Sequence, residues 1–180
     1  MQGDLPLGPV VAVFARHGFR KAAMEDVARA LGVSRQSLYN RFGTKQALAD
    51  WAMNALIEAS LTEALRSIEQ PSRTLPERLL GALDAWVGQH MDALHASPYG
   101  VEIIAVMQHH PPEAVRVAER RIVAAMAEAI RLSGPGSAVP RAGSMAQALC
   151  WTARGLVHAA PDHAGFRRQL DHIVGALVAR

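Results

Sequence analysis

The sequence of 180 residues contains one cysteine, few aromatic residues and no long apolar run. Cys150 alone cannot form an internal disulfide, which is typical of a reducing compartment, and we expect a cytoplasmic protein. The absence of an 18-residue apolar stretch argues against a membrane span. The opening residues MQGDLPLG lack the basic segment of a secretory signal. Half of the residues are apolar, and Ala and Leu are abundant, which favours a helical protein with one or two packed cores.

The sequence also lacks the spacings of common catalytic and metal sites. There is no serine elbow, carboxylate pair or phosphate loop, so we do not expect an enzyme. Among eight histidines, His109 and His110 are adjacent and point apart, and His90 and His95 are off the helical spacing of four. We therefore predict no metal site and no cofactor. Cys150, between two large apolar residues, is predicted to be buried and inert.

The most informative segment, residues 14–48, has the spacing of a helix-turn-helix. Val27, Ala28 and Leu31 place one apolar face on a short helix, and Gly32 follows where the turn needs a positive φ. Ser34 can then cap a second helix. Leu38 and Phe42, four residues apart, hold that helix on the core and leave its other side chains outward, as in motifs that enter the major groove.

The outward side chains of the second helix have the chemistry of DNA contacts. Arg and Gln can pair with base edges, whereas Ser, Tyr and Lys suit phosphates. Thr44 can cap the next helix, where Lys45 lies near unpaired N–H groups. A helical hairpin with a merely solvated polar face is the alternative, and the complete motif favours DNA binding. The predicted DNA-binding residues are Arg35, Gln36, Ser37, Tyr39, Asn40, Arg41 and Lys45.

Charge distribution supports this interpretation independently. Residues 1–50 hold seven Lys or Arg against four Asp or Glu, and the remainder holds twelve of each. The formal net charge of +3 therefore lies wholly in the predicted DNA-binding part. Because this surplus is small, we expect binding to require two such domains.

The same residues resemble a known family. Phe14-Ala15, Gly18-Phe19 and then MEDVARALGVSRQSLYNRFGTKQAL closely resemble the N-terminal domain of TetR-type one-component transcriptional regulators. The resemblance covers about 40 residues by motif, and beyond them it rests on helix order and length. It implies that Arg35, Gln36 and Asn40 face bases, and that Ser37, Tyr39 and Lys45 hold phosphates.

Three departures from the family pattern matter. Ala22 and Ala23 stand where the family often has a Thr or Ser that caps the second helix, a contact worth about 1 kcal/mol. Arg41 occupies a position that is often aromatic or His. Residues 1–8 contain no Lys or Arg and so predict no basic arm for the minor groove, and Pro9 suggests that the first helix begins there.

The rest of the chain predicts further amphipathic helices, among them a single helix from Pro76 to His95. The last two, residues 144–159 and 166–179, could cap their own core or face their copies in a two-fold four-helix bundle. The resemblance favours the bundle, and so a homodimer. The predicted interface residues are Met145, Leu149, Thr152, Leu156, Phe166, Leu170, Ile173 and Leu177.

A mixed apolar and polar set on the middle helices suggests a chamber for a small molecule, although Trp and Met at helical spacing also fill ordinary cores. The resemblance favours the chamber. The predicted ligand-binding residues are Trp86, His90, Met107, Met126, Trp151, Arg154 and His158.

Together these observations predict an all-α protein of about nine helices. Residues 1–50 form a three-helix helix-turn-helix domain, and residues 51–180 form a helical ligand-binding and dimerisation domain. The expected function is a dimeric transcriptional regulator, a repressor that a small apolar or amphipathic ligand releases from a palindromic double-stranded DNA operator. The alternative is a DNA-binding protein of the same fold without an effector.

Overall fold

The computed structural model describes residues 5–100, 112–133 and 141–178, and the regular elements in these ranges are all helical. The all-α fold class is thereby confirmed. In chain order the helices are α1 (Leu7–Lys21), α2 (Met24–Leu31), α3 (Arg35–Phe42), α4 (Lys45–Ile68), α5 (Leu75–Trp86), α6 (Met91–Ala96), α7 (Glu113–Ser133), α8 (Ala142–Ala159) and α9 (His163–Val178). None of the helices in these ranges is both long enough and apolar enough to cross a membrane.

The described residues divide into two compact units. Residues 5–57 and 93–100 form the first unit, and residues 58–92, 112–133 and 141–178 form the second. The first division falls within α4, a little beyond the predicted boundary at residue 50. That boundary remains a prediction about where the DNA-binding function ends.

The core of the first unit is built from one face of each of its helices. Leu38 from α3 is 1% exposed, and burying a side chain of this size stabilises the unit by about 2 kcal/mol. At its rim, the rings of Phe42 and Trp51 pack with their centroids 5.4 Å apart. The buried members of this core are Val10, Met24, Val27, Ala28, Leu38, Leu48 and Ala52.

Helix α1 begins earlier than predicted. It starts at Leu7, two residues before Pro9, with Pro6 as its N-cap. Pro9 instead occupies the first turn, where its missing N–H has no intrahelical partner to lose.

The second unit has its own apolar core, to which α5, α7, α8 and α9 contribute. Asp84 of α5 ties this core to α9, because its carboxylate accepts hydrogen bonds from His163 Nε2 at 2.6 Å and from Arg167. The largest fully buried side chains of the four helices are Leu79, Leu83, Ile122, Met126, Leu149, Phe166 and Leu170.

The prediction of one helix from Pro76 to His95 is wrong. Helix α5 ends at Trp86, and a turn of 3-10 helix at Gly88–His90 precedes α6. At Gly88 the backbone lies so close to its neighbours that an added Cβ would come within 2.5 Å of Phe166 Cε1 and 2.4 Å of Asp84 Oδ1. This close approach is a tertiary effect, and helical periodicity in the sequence does not report it.

Candidate nucleic-acid interface

The turn between α2 and α3 has the geometry expected from its sequence. Gly32 adopts the left-handed conformation (φ +67°, ψ +26°), which a side chain would strain. The next amide, Val33 N–H, donates to the carbonyl of Ala28 at 3.0 Å and closes the end of α2. Ser34 then caps α3, since its Oγ accepts from the Ser37 amide at 3.1 Å. The helix-turn-helix prediction is confirmed in detail here.

Helix α3 presents a polar and cationic surface to solvent. Leu38 is buried on the inner side, and Tyr39 is half-buried with its ring against the core. The remaining predicted contact residues on this helix are exposed: Arg35, Gln36, Ser37, Asn40 and Arg41. Their exposure makes contact with a nucleic acid sterically feasible, and their individual roles at bases or phosphates remain predictions.

The exposed side chains of α3 pair with one another along the helix. Gln36 Nε2 donates to Asn40 Oδ1 at 2.8 Å, and the Arg35 guanidinium carbon lies 5.3 Å from the centre of the Tyr39 ring. Such exposed pairs, four residues apart, contribute only about 0.2–0.5 kcal/mol each. They can therefore be exchanged at little cost for bonds to base edges.

The start of α2 has only half of a capping box. Asp26 Oδ2 accepts a hydrogen bond from the Ala23 amide at 3.1 Å, but Ala23 has no side-chain oxygen to return one to the helix. Ala22 is buried and Ala23 is exposed. Ala23 is therefore the N-cap residue of α2, and it lacks the side-chain cap whose absence the sequence predicted.

The Lys45 side chain contacts the end of α1, and its predicted phosphate contact remains a prediction. Its ammonium donates to the carbonyls of Phe19, Arg20 and Ala22 at 2.8, 3.2 and 2.9 Å. Helix α4 is capped independently, since Thr44 Oγ1 accepts from the Ala47 amide at 3.1 Å. The Lys45 side chain therefore binds the end of α1, although its backbone lies in α4.

Sequence reasoning missed the segment that follows α6. Ser97 Oγ donates to the carbonyl of Ala15 at 2.7 Å, and the Tyr99 ring lies against Gly18, where an added Cβ would be 2.9 Å from the ring. Gly18 has φ +68° and interrupts α1. The glycine-aromatic pair at Gly18 and Phe19 was the only signal of this feature, and it did not identify Tyr99.

The predicted ligand-binding residues differ in their burial. Trp86 and Met126 are buried in the second unit, and His90 accepts or donates a 2.8 Å hydrogen bond with the buried Ser60. Burial lowers the pKa of His90 from its usual value and so favours the neutral ring. Met107 lies outside the described residues.

Two of the predicted ligand residues have exposed side chains. Trp151 is 64% exposed and His158 is also exposed, so neither lines an interior with Trp86. Arg154 is paired with Glu119 of α7, with N–O distances of 3.3 and 3.4 Å.

Burial, and then the nearby Glu119, raises the pKa of Cys150 to about 12, so this thiol is protonated and unreactive at neutral pH.

The predicted interface residues differ in their exposure. Leu149, Leu156, Phe166 and Leu170 are buried in the chain's own core, so their side chains do not form a surface for a second copy. Met145, Thr152 and Ile173 are half-buried, and Leu177 is 39% exposed. Helices α8 and α9 carry apolar residues on more than one face, and most of the residues predicted from the sequence lie on the inner face.

Within the described ranges, no three His, Cys, Asp or Glu side chains form a group that could hold a metal ion.

The geometry of the first unit defines a class: proteins that present a helix-turn-helix with an exposed polar second helix. Residues 11–51 match the sequence model of the family described as "Bacterial regulatory proteins, tetR family". This match, over the residues that form most of α1, α2, α3 and the start of α4, confirms the predicted resemblance. Over these residues the chain is similar to the N-terminal domain of TetR-type regulators.

One relative is similar in sequence, and solved structures are similar in fold. The chain is 28% identical over 118 residues to the HTH-type transcriptional regulator YezE of Bacillus subtilis (strain 168); the alignment covers 65% of the chain but 60% of YezE. A transcriptional regulator from Rhodococcus sp. Rha1 has a similar fold (TM-score 0.71, 19% identity, 96% and 94% of the two chains). So has the TetR family regulator PfmR of Thermus thermophilus (TM-score 0.62, 17% identity, 93% and 96%).

The half-formed capping box yields a test of the local structure. Ala23→Ser supplies the missing oxygen at a residue whose backbone is already extended (φ −104°, ψ 152°), so it should stabilise the first unit by about 1 kcal/mol. Ser34→Ala, which removes the cap of α3, should destabilise it by about the same amount. Urea unfolding followed by circular dichroism measures both changes. An Ala23→Ser chain with an unchanged midpoint would contradict the assignment of Ala23 as the N-cap.

Proposed function

We propose that the chain is a dimeric repressor that binds a palindromic DNA operator through α3 and is released by a small apolar or amphipathic ligand. The observation that carries the DNA-binding part is the exposed surface of α3, held in place by the burial of Leu38. Arginine and amide side chains on one helix surface match the donor and acceptor pattern of base edges in the major groove. The local surplus of three positive charges supports attraction to the phosphate backbone.

The exposed surface of α8 supports the dimer. Trp151 is 64% exposed, and Ala148, Gly155 and Ala159 follow the helical spacings of three and four that place them on its side of the helix. A large apolar ring surrounded by small residues permits close helix packing, and a second copy of this chain is the partner that two-fold half-sites require. Leu177 of α9 is a further exposed apolar side chain.

The composition of the second unit supports the ligand part of the proposal. Trp86 and Met126 are apolar, and the bonded pair of Ser60 and His90 supplies polar groups in the same unit, the composition that a small-molecule site needs. Effector-independent DNA binding is the second candidate, and the complete burial of Met91 favours it. A small molecule that raises the melting temperature and weakens DNA binding would support the first; ligands that change neither would support the second.

Base reading by α3 predicts a loss of sequence preference when its contacts are removed. Arg35→Ala or Gln36→Ala should reduce discrimination between the operator and a variant with one changed base pair by about 1–3 kcal/mol. Glu63→Ala, on the exposed surface of α4 in the second unit, is the control and should leave discrimination unchanged. Fluorescence anisotropy with a matched and a mismatched duplex measures the difference. Retained discrimination in both α3 variants would contradict reading by this helix.

Dimerisation through α8 predicts that a charge at Trp151 separates the protomers. Trp151→Glu should give a monomer at low micromolar concentration, because a carboxylate would be desolvated in the interface. Leu132→Glu is a matched control, since Leu132 of α7 is 68% exposed and is not part of the proposed surface. Sedimentation velocity measures the mass of each. A Trp151→Glu chain that sediments as a dimer would exclude this surface. Leu170→Glu is unsuitable, because Leu170 is fully buried and the change would unfold the chain.

A further inference from the structure

The ammonium of Lys45 is enclosed by the end of a different helix. Three backbone carbonyls converge on its Nζ, those of Phe19, Arg20 and Ala22, at distances between 2.8 and 3.2 Å. The Phe19 ring adds a cation–π contact, with its centre 4.8 Å from Nζ. An ammonium has three N–H donors, and this geometry provides one acceptor for each. The side chain is half-buried, although it is the first residue of α4.

The carbonyls are available because α1 ends irregularly. Gly18 leaves the helical conformation (φ +68°, ψ 158°), and the Ala23 amide bonds to Asp26 Oδ2 instead of reaching back to the carbonyl of Phe19. Carbonyls at the end of a helix carry partial negative charge and need donors or cations. Lys45 satisfies three of them at once, which ties the turn between α1 and α2 to the start of α4.

We propose that Lys45 is a positioning residue for DNA binding, which contributes to operator affinity by holding the turn before α2 and not by neutralising a phosphate. The inference rests on the proposed DNA-binding function. A phosphate contact would require Lys45 to give up bonds to carbonyls, and all three of its donors are engaged in them. Charge-assisted bonds of this kind are among the stronger polar contacts in a protein.

Two variants of Lys45 distinguish the effect of its hydrogen-bond geometry from the effect of its charge. Lys45→Met keeps the apolar stem and removes the donors; it should lower affinity about tenfold. The slope of log affinity against log salt should stay the same, because no phosphate contact is lost. Lys45→Arg keeps the charge, but a planar guanidinium cannot direct three N–H groups from one atom toward three carbonyls. It should therefore lose affinity to a similar degree, whereas a residue that simply bound phosphate would tolerate arginine.

The measurement is anisotropy titration of one operator duplex at several salt concentrations, at a temperature where circular dichroism shows every variant folded. Lys21→Met is the matched control: it removes the same charge from an exposed side chain at the end of α1, and should leave the melting temperature unchanged. If Lys45→Met fails to fold, Lys45→Arg carries the comparison.

Two results would overturn the proposal. A salt slope reduced by about one unit in Lys45→Met, with affinity retained in Lys45→Arg, would identify a phosphate contact. Unchanged affinity in both variants, with only a lower melting temperature, would limit Lys45 to stability. Failure of the unsubstituted chain to bind DNA would instead refute the proposed function, and the melting temperatures of the variants would still test the contact with α1.

Discussion

The burial of Leu38 is the constraint on which the candidate interface depends. It holds one side of α3 against the core formed with Val27, Ala28 and Leu48, and so determines which side chains of the helix face solvent. Gly32 makes this arrangement possible, because its left-handed conformation turns the chain between α2 and α3 without strain. The polar surface of α3 is therefore a consequence of how its single buried leucine packs.

Much of this unit could be predicted from local sequence. Gly32, Ser34 and Leu38 act within a few residues of one another, and short-range rules for turns, caps and helical faces apply to them directly. The contacts of Lys45 could not be predicted in the same way, since its partners are 23 to 26 positions away in the chain. Nor could the packing of Tyr99 against Gly18, which joins residues after α6 to the end of α1.

The second unit shows why helical periodicity is a weaker guide for interfaces. Leu149 and Trp151 are two residues apart on α8, and both are large and apolar, yet one is completely buried and the other is 64% exposed. A pattern can find amphipathic helices, but it cannot say which of two apolar faces meets the chain's own core. At Gly88, just beyond α5, the Phe166 ring lies where a Cβ would stand, a contact between distant residues that the helical pattern does not report.

The central claim is that α3 reads DNA as one of a two-fold related pair. The most direct test is selection of bound duplexes from a randomised library by the full chain, followed by sequencing. The account predicts an enriched palindrome whose half-sites are separated by about one helical turn, or a multiple of it, centre to centre. Enrichment of no motif, or of a single asymmetric site, would contradict it.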